Sequence, residues 1–292
     1  MPALFAVLLL LVLAPAADAA APVSITQAPA RAVHAGQGTI GYRAVGSGSP
    51  VVLVMGLSGT MDTWQPSFVD ALARTHRVIT FDNEGIRRTT LGRGPLTIRR
   101  MGDDVASLIG ALHLRRSDVL GWSMGGMIAQ ALAHDHPRLV RRLILCATAP
   151  GDGHATAPAT SIQQQIAGGD VASLLGLLFP PGRDAVTNAY VKGILAFPNA
   201  DLIAPQDVVT LQLAAITRWM GGHDPSGGPL SRLRLPVLVG AGGADRLLPV
   251  ANARHLAHAL PHAQLSVYAD AAHGFLFQHQ AEFVSRIRAF LR

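Results

Sequence analysis

Asp118-Val119-Leu120-Gly121-Trp122-Ser123-Met124-Gly125-Gly126 runs from an apolar, strand-like stretch into a helical pattern over 124–134. The turn between them reads G-x-S-x-G, which carries meaning only where a strand passes directly into a helix. Ser123 then occupies a sharp turn with its hydroxyl clear of the backbone. The flanking glycines let strand and helix approach closely. The helix that follows aims backbone N–H groups and its positive end at the same spot. Outward from this point, apolar runs at 51–54, 77–81, 142–146, 236–240 and 264–268 are bounded by Gly or Pro and suit strands buried on both faces. Segments 32–35 and 39–45 flank Gly36-Gln37-Gly38 as a hairpin. Helical patterns lie at 64–74, 101–112, 251–259 and 281–291. Strand and helix in alternation predict an α/β fold with a mostly parallel sheet covered on both faces. Residues 150–230 break the rhythm. Their helical runs (161–166, 171–179, 185–195, 205–219) have no strand partners, which predicts a helical insert in a core made of 20–149 and 231–292.

The composition excludes several classes. With 292 residues, 49% hydrophobic and 14% charged, the chain can bury a sizeable core and is not globally disordered. The net charge is +6, and arginines occur in scattered pairs: Arg87-Arg88, Arg99-Arg100, Arg115-Arg116 and Arg141-Arg142. Aromatics are 5%, so the basic stripe with interleaved rings expected of a nucleic-acid binder is missing. The single cysteine, Cys146, allows no internal disulfide and reads as a small core residue rather than a thiolate. At the amino terminus, 4–14 is apolar but too short to span a bilayer. With Ala17-Asp18-Ala19 it reads as a secretory signal peptide over 1–19, cleaved after Ala19, although its first residues carry no Lys or Arg. The expectation is a secreted or periplasmic protein with no stable membrane insertion and no specified oligomer.

A serine hydroxyl needs a base to take its proton. Among 12 histidines, His273 stands apart because it follows the last predicted strand, at the sheet end where Ser123 would lie. His134, His136, His255 and His258 fall on helices or their ends and read as ordinary polar positions. The base in turn needs a carboxylate to fix its tautomer. Asp245, in the loop after the strand over 236–240, is the choice; Asp152, after the strand containing Cys146, is the rival. Two backbone donors should face the developing oxyanion: the N–H of Met124, and the N–H of Leu57 in the loop Met55-Gly56-Leu57-Ser58-Gly59. Met55, Leu57, Trp122 and Met124 suggest an apolar lining for the substrate. No Cys/His or carboxylate cluster has metal-ligand spacing, so neither metal nor organic cofactor is implied.

Taken together, the runs over 51–57 and 121–126, Phe81-Asp82-Asn83-Glu84-Gly85, Asp245 and His273 resemble the α/β-hydrolase superfamily. The resemblance covers about 32–292 and is similar to its serine esterase, lactonase and cofactor-free haloperoxidase members. It implies an eight-stranded, mostly parallel sheet and a helical lid over the pocket. Met55-Gly56 stands where many relatives carry His-Gly, and Asn83–Arg88 replaces a shorter turn. Serine at the elbow argues against the dehalogenase and epoxide-hydrolase branches, which use aspartate. The resemblance implies a hydrolase for a small acyl substrate. Ester, thioester, lactone and amide bonds stay open, as does peroxide as the acyl acceptor. A catalytically silent ligand-binding protein is the rival of another class, against which the complete triad counts.

Overall fold

A computed structural model describes residues 23–168, 171–198, 200 and 202–292. The expected signal segment, 1–19, lies outside them. Eight strands form one sheet: β1 Arg31–Ala35, β2 Gly38–Val45, β3 Pro50–Val54, β4 Arg77–Phe81, β5 Ser117–Trp122, β6 Val140–Cys146, β7 Val237–Gly242 and β8 Ala263–Tyr268. Their spatial order is β1-β2-β4-β3-β5-β6-β7-β8. The β1–β2 and β2–β4 pairs are antiparallel, and every later pair is parallel. The expected eight-stranded, mostly parallel sheet is therefore present.

Helices cover both faces. On one side lie α2 Ile98–Ala111, α3 Met124–Asp135 and α8 Val250–Ala259, which pack into the cluster holding Val52, Val119, Ile128 and Val239. On the other lie α1 Pro66–Ala73, α9 Phe275–Gln278 and α10 Gln280–Phe290, around Leu53, Leu120, Phe275 and Phe283. Strands β5 and β7, which have a neighbour on each side, are buried along their whole length, because apolar side chains on both faces meet helices. The edge strand β8 departs from that expectation: Leu265 and Val267 are exposed at the margin of the sheet. Cys146 is fully buried, and burial pushes its thiol well above the ordinary range, which keeps it a core residue.

Between β6 and β7 come four helices: α4 Thr160–Gly168, α5 Val171–Leu178, α6 Asp184–Ile194 and α7 Gln206–Met220. They leave the core at the carboxyl end of β6, on the edge where ligand crevices of open α/β sheets lie, and the chain then returns to the amino end of β7. Among the described residues no helix is long and apolar enough to cross a membrane.

Candidate active site

Ser123 joins β5 to α3 with φ 60° and ψ −125°, a backbone conformation that L-residues rarely adopt. Holding a non-glycine residue there costs on the order of 1–3 kcal/mol, so the surroundings must enforce it. They do so through backbone and packing. Ser123 N–H donates to the Cys146 carbonyl at 2.9 Å, and its own carbonyl accepts from Gly126 N–H at 2.9 Å and Thr148 Oγ1 at 2.7 Å. The glycines of the motif are obligatory. A Cβ at 121 would collide with the Gly125 carbonyl, one at 125 with the Val54 carbonyl, and one at 126 would lie 2.6 Å from Thr148 Cβ.

Two more strand ends deliver the partners. β7 ends at Gly242, and Asp245 follows in a turn that its own carboxylate closes, with Oδ1 accepting from Leu247 N–H (2.8 Å) and Leu248 N–H (2.9 Å). Oδ2 is left for His273 Nδ1, 2.8 Å away, and both side chains are buried. His273 lies in the loop after β8. Its carbonyl accepts from Trp122 Nε1 at 3.0 Å, and the Trp122 and His273 rings lie 5.6 Å apart. The residue preceding the serine thus fixes the loop that carries the imidazole. Among the described residues no hydrogen bond engages Ser123 Oγ; in unliganded sites such contacts are commonly long and tighten with substrate.

The loop after β3 meets the same spot. A Cβ at Gly56 would lie 3.0 Å from Ser123 Cβ and 3.6 Å from Ser123 Oγ, so this peptide comes so close to Ser123 only as glycine. The loop is braced on several sides. Asn83 Nδ2 donates to the Met55 carbonyl at 2.8 Å, and Gln212 Oε1 on α7 accepts from Ser58 N–H at 2.9 Å. Further on, Met61 N–H donates to Asp82 Oδ1 at 2.8 Å, and Asp62 is clasped by Arg43 and Arg87. With Ser58 N–H and Gly59 N–H occupied, the Leu57 N–H is, like that of Gly56, an unpartnered donor of the turn among the described residues. The Met124 N–H, first in α3, has no acceptor within its helix.

Of the four residues expected to line a pocket, only Leu57 is partly exposed. Met55 and Trp122 are buried in one core layer and Met124 in the other. Met124 therefore faces the site through its backbone. The rival acid Asp152 pairs with His255 (2.7 Å), and His136 pairs with Asp103 (2.7 Å). Sequence reading missed Asn83 and Gln212. Asn83 sits in the loop noted as atypical, but its partner is a carbonyl 28 residues away. Gln212 lies in a helix with no motif at all.

The helices between β6 and β7 touch both halves of the site. Gln212 grips the Leu57–Ser58 peptide, Tyr190 OH donates to the Thr63 carbonyl at 3.0 Å, and the Leu178 carbonyl accepts from Gly274 N–H, next to His273, at 2.7 Å.

The chain was compared with known proteins. A family model described as "alpha/beta hydrolase fold" matches residues 49–175. The protein named "Putative carbamate hydrolase RutD" of Caulobacter sp. (strain K31) is 32% identical over 254 residues, 82% of this chain and 90% of its own length. "Putative non-heme bromoperoxidase BpoC" of Mycobacterium tuberculosis is 43% identical over 110 residues, 37% of this chain and 42% of that one. Among solved structures, an alpha/beta hydrolase fold protein from Chitinophaga pinensis superposes with a TM-score of 0.81 at 28% identity, covering 92% of this chain and 99% of the other.

Proposed function

The chain belongs to the α/β-hydrolase fold family, and from that premise we propose that it is a serine hydrolase cleaving a carboxylic ester or related acyl bond of a small molecule. The observation that carries the proposal is the buried His273–Asp245 pair, tied through Trp122 to the strained turn that presents Ser123. Ser123 Oγ attacks the substrate carbonyl while His273 takes its proton. Asp245 Oδ2 holds the imidazole by Nδ1–H and stabilises its charge. The Leu57 and Met124 N–H groups bind the oxyanion. Collapse expels the leaving group, which receives the proton from His273. Water, deprotonated by the same imidazole, then attacks the acyl-serine and restores the enzyme. The helices between β6 and β7 act as the lid, since they hold both the oxyanion loop and the histidine loop.

The test is turnover of a graded panel of aryl esters, thioesters, lactones, carbamates and aryl amides. Activity abolished by Ser123→Ala supports the proposal, and an inert panel overturns it. Peroxide in place of water is a second reading, favoured by the partial match to the bromoperoxidase-named relative; bromination dependent on hydrogen peroxide and acetate would establish it.

Export is part of the proposal, supported by the apolar run over 4–14 and Ala17-Asp18-Ala19. Amino-terminal sequencing of the protein made in its own cell should find Ala20, and an intact Met1 would refute export by cleavage.

A further inference from the structure

The rim beside the acid loop carries a group that the hydrolytic reading does not use. After β6 the chain runs Gly151-Asp152-Gly153-His154, and α8 brings up His255. One donor atom from each of Asp152, His154 and His255 lies within 4.8 Å of the others. No spacing in the sequence points to this, because Asp152 and His255 are 103 residues apart. We propose that Asp152, His154 and His255 form a binding site for a divalent ion of the zinc, nickel or copper class.

The convergence is built rather than incidental. Gly153, at φ +84°, turns the chain so that Asp152 and His154 face α8 together. Buried Asn252 clamps the loop to the helix in both directions. Its Oδ1 accepts from Thr156 N–H at 2.7 Å, and its Nδ2 donates to the Thr156 carbonyl at 2.9 Å. His255 stands one helical turn beyond Asn252, on the same face. Asp152 Oδ2 lies 2.7 Å from His255 Nε2, and Oδ1 lies 3.6 Å from His154 Nδ1. The two imidazoles stack at 5.3 Å with an interplanar angle of 20°.

Asp152 draws in both histidines: Oδ2 pairs with His255 Nε2 at 2.7 Å, and His154 Nδ1 lies 3.2 Å from the Asp152 carbonyl oxygen and 3.6 Å from Oδ1. One carboxylate balances one imidazolium, and two stacked imidazolium rings would repel. Two neutral imidazoles sharing a cation with the carboxylate resolve that conflict. The Asp152–His255 and Asp152–His154 separations, 2.7 and 3.6 Å, lie either side of the roughly 3.4 Å between ligands of a tetrahedral ion with bonds of about 2.0–2.1 Å. Two nitrogens and one oxygen select borderline metals over calcium or magnesium. His154 is exposed, so the remaining coordination positions open to solvent. The ion would staple the loop after β6 to α8 without touching Ser123, His273 or Asp245.

The experiment uses the full chain without a histidine tag. Zn²⁺ binding is measured by calorimetry, and Cu²⁺ binding by electron paramagnetic resonance. One ion per chain is expected, with nitrogen hyperfine structure for Cu²⁺ and a raised Tm with Zn²⁺. His154→Ala, which alters an exposed side chain, and Asp152→Asn should each weaken binding by at least about tenfold. His258→Ala, on the exposed side of the same helix, should leave it unchanged. Binding well below one ion per chain, or affinity equal in His154→Ala and His258→Ala, overturns the proposal.

Discussion

Replacing Gln212 by leucine separates stability from catalysis, because two opposing effects meet in one side chain. Gln212 is fully buried; its Oε1 accepts from Ser58 N–H at 2.9 Å, while its Nε2 is buried without a partner. Losing the acceptor strands the Ser58 N–H, at a cost of about 1–3 kcal/mol. Removing the unpartnered amide nitrogen relieves a penalty of similar size. Net stability should therefore change by no more than about 1 kcal/mol. Catalysis has no such compensation. The Leu57 N–H lies in a peptide whose two neighbours are held, one by Asn83 at the Met55 carbonyl and the other by Gln212 at the Ser58 N–H, and Gln212→Leu frees one of them. Complete loss of an oxyanion donor costs about 10²–10³ in kcat. A donor that remains but is loosely held should cost about 10–100-fold, or roughly 1.4–2.7 kcal/mol of barrier. The assay is kcat and KM on a short-chain aryl ester, with a thermal melt of the same sample. A fall in kcat of that size, with KM and Tm little changed, is expected. Turnover within about twofold of wild type would refute the brace, and a collapse in Tm would show that Gln212 acts on folding instead.

Asp245→Asn keeps an Oδ1 for the Leu247 and Leu248 N–H groups and changes only the atom facing His273. Melting should be near that of wild type, with kcat lowered by about 10⁴ because the imidazole loses its tautomer; an active variant would transfer the role to another acid. Gly125→Ala drives a Cβ into the Val54 carbonyl, so chemical denaturation should show a loss of at least about 3 kcal/mol, and a midpoint like that of wild type would show that the elbow yields. Asp82 is raised from 3.8 to about 6, chiefly by desolvation, and its Oδ2 is unpartnered. Between about pH 4 and 6 the unfolded chain gives up this proton while the native state keeps it, so the group's contribution to stability falls as pH rises and is lowest above about 6. About two pKa units correspond to about 3 kcal/mol. Asp82→Asn should therefore gain on wild type in Tm from pH 4 to pH 7, and a gap constant with pH would refute this.

The sheet was legible because its strands are continuous apolar runs, and β4 spans the predicted 77–81. The residues of the elbow were legible because the backbone conformation of Ser123 admits few neighbours other than glycine. Asp245 and His273 were legible from their place after strands, since parallel topology sends all such loops to one rim. What stayed hidden depends on contacts between distant segments. Gln212 reaches Ser58 across 154 positions, and His255 reaches Asp152 across 103, with no local pattern to mark either. The exposed face of β8 was hidden for a related reason. Leu265 and Val267 look like core residues until the strand's position at the sheet margin is known.

Incubating the folded protein with a fluorophosphonate, then locating the adduct by peptide mass spectrometry, interrogates the nucleophile itself. One label per chain on the peptide containing Ser123, absent from Ser123→Ala, is the predicted result. A label on another residue, or labelling that persists in Ser123→Ala, would contradict it.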